Sequence, residues 1–146
     1  MNINQTLNEL LVELFHDIMT IEEKSIRKGP FKDVTVNDLH VIEAIGTEKS
    51  KNMSTVAKAL GVTMGTLTIS VNALVKKGFV ERVRSEEDRR VVLISLTERG
   101  KKAYKNHQDF HSDMIQSIVG QLDEDEKKIL QKSLEKLNWF FKEQNT

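Results

Sequence analysis

The chain has 146 residues, with no cysteine, one proline and seven glycines. Its length allows one domain with a hydrophobic core, and the scarcity of proline and glycine favours long helices over a β-sandwich or barrel. The lack of cysteine excludes disulfides, thiolate metal sites and thiol redox sensing, and it fits the reducing cytoplasm, where we expect this protein. We expect no signal peptide and no contact with a membrane, because the first fifteen residues are amphipathic and acidic and no apolar run approaches the roughly 18 residues of a span.

Charge is balanced overall but unevenly distributed along the chain. Residues 51–90 carry 8 basic and 4 acidic side chains, a net charge of +4, whereas residues 1–50 carry 5 basic and 9 acidic ones, a net charge of −4. A positive segment between more acidic flanks is typical of a nucleic-acid-binding surface. An excess of this size is also compatible with ordinary solvated surface.

The first 46 residues predict two helices. Apolar residues recur at helical spacing from Ile3 to Ile21, which predicts a helix over about 3–27 that ends at Gly29-Pro30. Thr35, with Asp38 three residues later, has the pattern of a capping box and predicts the start of a second helix, which Gly46 closes.

Residues 54–97 predict a helix-turn-helix followed by a β-hairpin. Ser54 is the expected N-cap of a short helix that reaches Leu60, and Gly61-Val62 forms the turn. Thr63 caps a longer helix that Gly78 stops. The stretches 79–84 and 91–96 are rich in Val, Ile and Leu and flank the polar tip SEEDRR, as in a hairpin.

The remaining residues predict two long helices, one capped by Thr97 and one by an Asp123–Glu126 capping box. These helices and the first one have broad apolar stripes, which favours a homodimer built from both termini. A monomeric helical bundle is the alternative. The expected architecture is mainly α with a small β-hairpin wing. It is one domain over 1–146, with a DNA-binding lobe at 35–97 and a helical dimerisation stem at 1–34 and 98–146.

The second helix of the helix-turn-helix has the composition of a DNA-reading helix. Ala57, Leu60, Gly61 and Val62, with Leu67, Val71 and Leu74 of the second helix, supply the small residue, the turn and the apolar anchors. The polar and small residues left over can reach base edges, phosphates or thymine methyls. A packed helix in a bundle is the plain alternative, but Thr and Ser make this a poor generic helix. The predicted DNA contacts of the helix-turn-helix are Ser54, Thr63, Met64, Gly65, Thr66, Thr68, Ile69, Asn72 and Lys76.

The hairpin tip is predicted to be a DNA-binding wing. Arg90, held by Asp88 through a charge-assisted hydrogen bond, has the chemistry to enter a minor groove, and Arg89 lies beside it. Arg82, Arg84 and Lys77 are candidates for phosphate contacts. A surface turn with a local ion pair is the alternative for the tip taken alone.

The order of these elements resembles the winged-helix core of MarR-type transcriptional regulators. The most specific part is the wing pattern of Asp88 and Arg90 followed by Leu-Thr at 96–97. Within that family, the chain is most similar to repressors of bacterial fatty-acid synthesis, through IEE at 21–23, FKD at 31–33, TMGTLT at 63–68 and VRSEEDRRVV at 83–92. That resemblance implies a homodimeric repressor on a pseudo-palindromic DNA operator, with acyl chains carried on acyl carrier protein as corepressor. No cofactor is required by this interpretation.

Four residues form a candidate metal site. His107 and His111 share a helix face, and His40 and Glu22 lie on the two preceding helices. Zinc-uptake repressors of the same family use such a set, and Glu22, His40, His107 and His111 match it. The second metal site of those repressors is not matched, because Lys28, Leu39 and Asn106 stand where its ligands would be. A polar cleft that meets an acyl ligand is the alternative, and a zinc-responsive regulator, or one for a small aromatic or lipophilic effector, is the alternative function.

Two other classes of function are weaker. An enzyme is disfavoured, because no nucleophile with a positioned base, no glycine-rich phosphate loop and no paired catalytic carboxylates can be recognised. A helical adaptor whose winged module binds protein in place of DNA stays open. A steep loss of binding with salt is expected only for a DNA-binding protein.

Overall fold

The computed structural model describes residues 2–144 and confirms a mainly helical fold with a small sheet. Its helices are α1 (Ile3–Lys28), α2 (Val36–Ile45), α3 (Met53–Leu60), α4 (Met64–Lys76), α5 (Glu98–Val119) and α6 (Glu124–Gln144). Its strands are β1 (Lys51–Asn52), β2 (Val80–Arg84) and β3 (Val92–Leu96). The chain forms two compact units, one that ends at His107 and one that begins at Gln108.

The strands form one antiparallel sheet in the order β1-β3-β2. The hairpin of β2 and β3 pairs Val80 with Leu96 and Arg84 with Val92, as its alternation of apolar residues predicts. The short strand β1 was not predicted. It pairs Lys51 with Ile94 on the other side of β3, and a two-residue strand has too little local signal to be recognised without its partner.

The hydrophobic core of the first unit lies among α2, α3, α4 and the sheet. Ile45 of α2, Val56 of α3, Val71 of α4 and Ile94 of β3 are completely buried, as is Phe79, which follows α4. Each of these helices contributes one apolar stripe, so the core fixes how α3 and α4 are held relative to the wing.

Polar side chains cap the helices mostly where the sequence predicts. The Thr35 hydroxyl accepts a hydrogen bond from the Asp38 backbone N–H at 3.0 Å, and the Asp38 carboxylate accepts one from the Thr35 backbone N–H at 3.1 Å. Asp123 and Glu126 form the same reciprocal pair at the start of α6.

The predicted N-cap of α3 is wrong. Asn52, and not Ser54, caps this helix, and its Oδ1 atom accepts from the Thr55 backbone N–H at 2.7 Å. Pairing of β1 with β3 holds Asn52 in the extended conformation that an N-cap needs, so the helix begins two residues earlier. Ser54 lies exposed in the first turn of α3.

The start of α5 packs against Gly78 and Phe79, in the short segment after α4. The Thr97 hydroxyl donates to the Gly78 carbonyl at 2.6 Å and accepts from the Gly100 N–H at 3.1 Å, which confirms its predicted capping role. Arg99 stacks over the Phe79 ring at 4.2 Å and forms two hydrogen bonds to Asp33. These contacts join the start of α5 to the segment after α4 and to the loop before α2.

The apolar stripe of α1 lies on the protein surface. Leu7, Leu11, Leu14 and Ile18 recur along this helix and are all exposed. Within the second unit, α6 also exposes large apolar side chains, which are Ile129, Leu130, Leu134, Leu137, Trp139, Phe140 and Phe141. No single helix among residues 2–144 is long and apolar enough to cross a membrane. Helices α3 and α4 meet the length and composition criteria only together, and they are bent by 106° at their junction.

Candidate nucleic-acid interface

The second helix of the helix-turn-helix, α4, has one buried and one exposed face. Leu67, Val71 and Leu74 are buried in the core, as predicted for its anchors. The opposite face is exposed, and its apolar residues Met64 and Ile69 are 48% and 73% accessible. Thr66, Thr68, Asn72 and Lys76 lie on this exposed side as well. We call the exposed residues of α4 the reading face.

A left-handed glycine forms the turn between α3 and α4. Gly61 has φ +69°, and the Val62 N–H donates to the Ala57 carbonyl at 3.0 Å, so the two helices meet at the sharp angle of a helix-turn-helix. Ala57 is buried as predicted. Val62, which the sequence predicts to lie in this turn, is 37% exposed.

The first turn of α4 has its own cap. The Thr63 Oγ1 atom accepts from the Thr66 backbone N–H at 3.1 Å, and the Thr63 and Thr66 hydroxyls lie 3.0 Å apart. Gly65 adds no side chain at this end, where a Cβ atom would meet only the Thr63 hydroxyl at 3.9 Å. The helix therefore presents a small, polar N-terminus that a phosphate or a base edge can approach closely.

Two side chains of the reading face form hydrogen bonds within the protein. Thr68 donates its hydroxyl to the Met64 carbonyl at 2.8 Å. The Asn72 carbonyl oxygen accepts from the Arg82 guanidinium, which reaches it from β2. The contact between Asn72 and Arg82 joins helix α4 to the wing. It was not predicted, because nothing in the sequence near either residue indicates it.

The wing tip is a closed turn. The Ser85 backbone N–H donates to the Val91 carbonyl, and the Val91 backbone N–H donates to the Asp88 carbonyl, each at 2.9 Å. Arg84 reaches across the base of the tip and donates to the Arg89 carbonyl at 2.9 Å. This turn fixes the backbone from which the predicted minor-groove side chains project.

Arg90 is fully presented at the tip and is held by Asp88, as the sequence predicts. Its Nε and Nη2 atoms each lie 3.0 Å from a carboxylate oxygen of Asp88, and its backbone N–H donates to the same carboxylate at 3.1 Å. The Arg90 side chain is still 90% exposed. The hydrogen bonds from Arg90 lower the pKa of the Asp88 carboxyl and raise the pKa of the Arg90 guanidinium, so both remain charged at neutral pH.

Lys77 is occupied by a partner of its own. Its ammonium lies 2.7 Å from the Asp38 carboxylate, which is buried at the start of α2. We expected Lys77 to contact phosphate, but a buried carboxylate needs a charged partner, and Lys77 supplies it from the end of α4. This pair ties α2 to α4. Lys76 of α4 and Arg82, Arg84, Arg89 and Arg90 of the wing are all exposed.

Two of the candidate metal residues come together within the first unit. Glu22 and His107 are both buried, and the His107 Nε2 atom lies 3.8 Å from a carboxylate oxygen of Glu22. Glu43, which is not one of the predicted ligands, approaches the same nitrogen at 3.7 Å. His40 is exposed on α2, and His111 is half-buried one turn beyond His107 on α5.

Together, the bent helix pair, the reading face and the basic wing define a winged helix-turn-helix of the kind that regulates transcription by binding DNA. Comparison with known proteins agrees. Residues 24–107 match the family model described as transcriptional regulator SarA/Rot. The chain is 32% identical to the HTH-type transcriptional regulator BilQ of Clostridium symbiosum over 105 residues, which are 71% of this chain and 72% of that protein.

The structure also matches solved regulators. It matches FabT of Streptococcus pneumoniae, crystallised in complex with DNA, with a TM-score of 0.91 and 39% identity, over 96% of this chain and 98% of that one. It shares the fold of MepR of S. aureus, also solved with DNA, with a TM-score of 0.72 at 23% identity, over 89% of this chain and 94% of that one. The chain therefore belongs to the SarA/Rot family and is a DNA-binding transcriptional regulator of the MarR-like winged-helix type.

Proposed function

We propose that this protein is a homodimeric repressor of fatty-acid-synthesis genes, which binds a pseudo-palindromic operator with acyl-acyl carrier protein as corepressor. The observation that carries the proposal is the likeness to FabT, which is 39% identical over 96% of the chain. The identity to MepR is much lower, at 23%. The likeness covers the helices outside the winged module as well as the DNA-binding elements, and an effector acts through those helices in this proposal.

Exposed apolar surface supports the homodimer. Leu7, Leu11 and Leu14 form part of a stripe along α1 that contacts water in the single chain. Helix α6 has a stripe of the same character, with Leu134 and Phe141 more than half exposed. Contiguous apolar stripes on helices of this length are unusual on monomers and mark interfaces. The resemblance to MarR-type regulators implies a dimer, and a two-fold dimer matches the symmetry of a palindromic operator.

A dimer also gives the proposed corepressor a way to act. Two reading faces must lie about 34–36 Å apart to enter successive major grooves on one side of DNA. A ligand that binds better to the dimer with this spacing raises the fraction of molecules able to bind the operator. A preference of about 1–3 kcal/mol is typical of such coupling and changes affinity roughly 5–150-fold.

The test is a titration of a promoter duplex from fatty-acid-synthesis genes, followed by fluorescence anisotropy, with a scrambled duplex as control. We expect preference for the promoter, steep weakening between low and moderate salt, and tighter binding with acyl-acyl carrier protein than with the unacylated carrier. Equal affinity for the promoter duplex with and without the acyl group would contradict the corepressor. Equal affinity for both duplexes would contradict the operator.

A second candidate effector is zinc, supported by the buried Glu22 carboxylate and the His107 imidazole 3.8 Å away. Carboxylate oxygen and imidazole nitrogen are donors that zinc accepts, and the Glu43 carboxylate offers a further oxygen. His111, four residues after His107 on α5, is the other histidine that the sequence predicts as a ligand. Zinc would act here as an effector and not as a catalyst.

Zinc titration of the wild-type protein and of the His107→Ala/His111→Ala variant, followed by operator binding and by isothermal calorimetry, tests this candidate. We expect the double variant to lose at least tenfold in zinc affinity. The same zinc affinity in both proteins would exclude these histidines as ligands. Native mass spectrometry of the purified dimer distinguishes the two effectors directly, through the mass of a bound acyl species or of zinc.

A further inference from the structure

The hydrogen bond between Arg82 and Asn72 determines which way the Asn72 amide faces. Arginine has donors and no acceptor, so the Asn72 atom that meets the guanidinium must be the carbonyl oxygen. The amide NH2 group is on the other branch of the planar amide. Asn72 is exposed on the reading face, so this group is available to DNA with two donors and no acceptor.

Thr68 has the opposite character. Its hydroxyl proton is used in the 2.8 Å hydrogen bond to the Met64 carbonyl, which can only accept. What Thr68 offers outward is therefore the lone pairs of its oxygen and its methyl group. Thr68 and Asn72 are four residues apart on α4 and share one side of the helix.

We propose that these two intramolecular hydrogen bonds set the base preference of the reading face, with Asn72 as a donor only and Thr68 as an acceptor only. The inference rests on the proposed insertion of α4 into the major groove. Asn72 then pairs with base acceptors, of which guanine presents two, O6 and N7, while adenine N7 and thymine O4 are one each. Thr68 pairs with a base donor, adenine N6 or cytosine N4.

Arg82 is a positioning residue in this scheme. The two-bond pairing of asparagine with adenine requires the amide oxygen to accept from adenine N6. In this protein, an adenine amino group that approached the remaining lone pair of that oxygen would bring its positive hydrogens beside the Arg82 guanidinium. Arg82 thus disfavours adenine at the base pair that Asn72 reads.

Selection of binding sites from a randomised duplex library, with wild-type protein and single variants, tests the proposal. Asn72→Asp keeps the contact with Arg82 and replaces the outward donors by an acceptor. We expect it to shift the preference at one base pair from guanine, with its two acceptors, to cytosine or adenine, whose amino groups donate, by about tenfold, the effect of one hydrogen bond. Thr68→Val keeps the shape of Thr68 but removes its acceptor, and should abolish preference at a neighbouring position.

Arg82→Met separates positioning from charge. It frees the Asn72 oxygen, so we expect a gain in adenine preference at the same base pair, besides a uniform loss of affinity. Arg84→Met is the matched control, since Arg84 lies on the same strand and contacts the Arg89 carbonyl and not Asn72. It should weaken all duplexes without changing the preferred base.

The outcomes distinguish a failure of this inference about Asn72 and Thr68 from a failure of the proposed function. Identical preference profiles for Arg82→Met and Arg84→Met, or an unchanged profile for Asn72→Asp, would overturn the inference while wild-type selectivity upheld the proposed function. A wild-type protein with no preference among duplexes would overturn both. Thermal unfolding of each variant is the control for the fold, which we expect these exposed substitutions to leave intact.

Discussion

Arg90 combines full exposure with a fixed orientation. Its side chain is 90% accessible, yet its Nε and Nη2 atoms both form hydrogen bonds to the Asp88 carboxylate. Holding a long side chain in one geometry reduces the entropy lost when it enters a groove. Because a narrow minor groove concentrates negative potential, we expect an arginine presented in this way to bind most strongly to A·T-rich DNA.

We expect Arg90→Ala to weaken operator binding on the order of tenfold, through loss of the minor-groove contact. Asp88→Asn should produce a smaller loss, because Arg90 keeps its charge and loses only its orientation. Anisotropy titrations at one fixed salt concentration measure both. If Arg90→Ala bound the operator like the wild type, the tip would be a surface turn and not a DNA contact.

The same pair makes a prediction about pH. The pKa of Asp88 is lowered, so the pair is intact above the ordinary carboxyl range and is lost only as pH falls through that lowered pKa. Across pH 6–8, the difference in operator affinity between wild type and Asp88→Asn should therefore stay constant. A difference that shrank within this range would mean that another titrating group controls the wing.

At the scale of elements, the first turn of α5 and the end of α4 approach each other at a glycine. A Cβ atom on Gly100 would lie 2.0 Å from the Phe79 carbonyl oxygen, which is part of the backbone. The Phe79 carbonyl also accepts from the Thr97 N–H at 3.0 Å, so it is held from two sides. Since Phe79 joins α4 to β2, this contact fixes the wing relative to the reading helix.

Gly100→Ala should lower the free energy of unfolding by about 3 kcal/mol or more, because backbone must move to admit the methyl group. Gly65→Ala is the control, because its methyl group meets only the Thr63 hydroxyl at 3.9 Å and alanine favours a helix. Urea unfolding followed by circular dichroism measures both. Equal stability of the two variants would show that the contact at Gly100 relaxes easily.

At the scale of the whole molecule, the exposed apolar stripes predict the oligomeric state. We expect Leu11→Glu on the α1 stripe to shift the protein to monomer and to weaken operator binding at least tenfold, because a monomer holds only one half-site. His16→Glu places the same charge on the other side of α1 and should remain dimeric. Sedimentation velocity measures the oligomeric state of both variants. A dimeric Leu11→Glu variant would show that the dimer interface lies elsewhere.

Much of the fold follows from local sequence. Thr35 with Asp38, Thr63, Thr97, and Asp123 with Glu126 cap helices as predicted, because a cap is a contact between residues within one turn. The buried anchors Leu67, Val71 and Leu74 were equally readable, because helical periodicity places them on one face. The family was predicted from the wing motif and the residues around it.

Contacts between distant parts of the chain were decided only by the tertiary structure. Pairing of β1 with β3 moved the cap of α3 from Ser54 to Asn52, and the buried Asp38 engaged Lys77 across 39 residues. Arg82 reached Asn72 in the same way, from strand to helix. A sequence shows which side chains can donate, accept or carry charge, but their partners depend on which elements the core brings together. The sequence alone therefore predicted a DNA-binding regulator and the helix expected to read the bases, while the tertiary structure decided which side chains of that helix form hydrogen bonds within the protein.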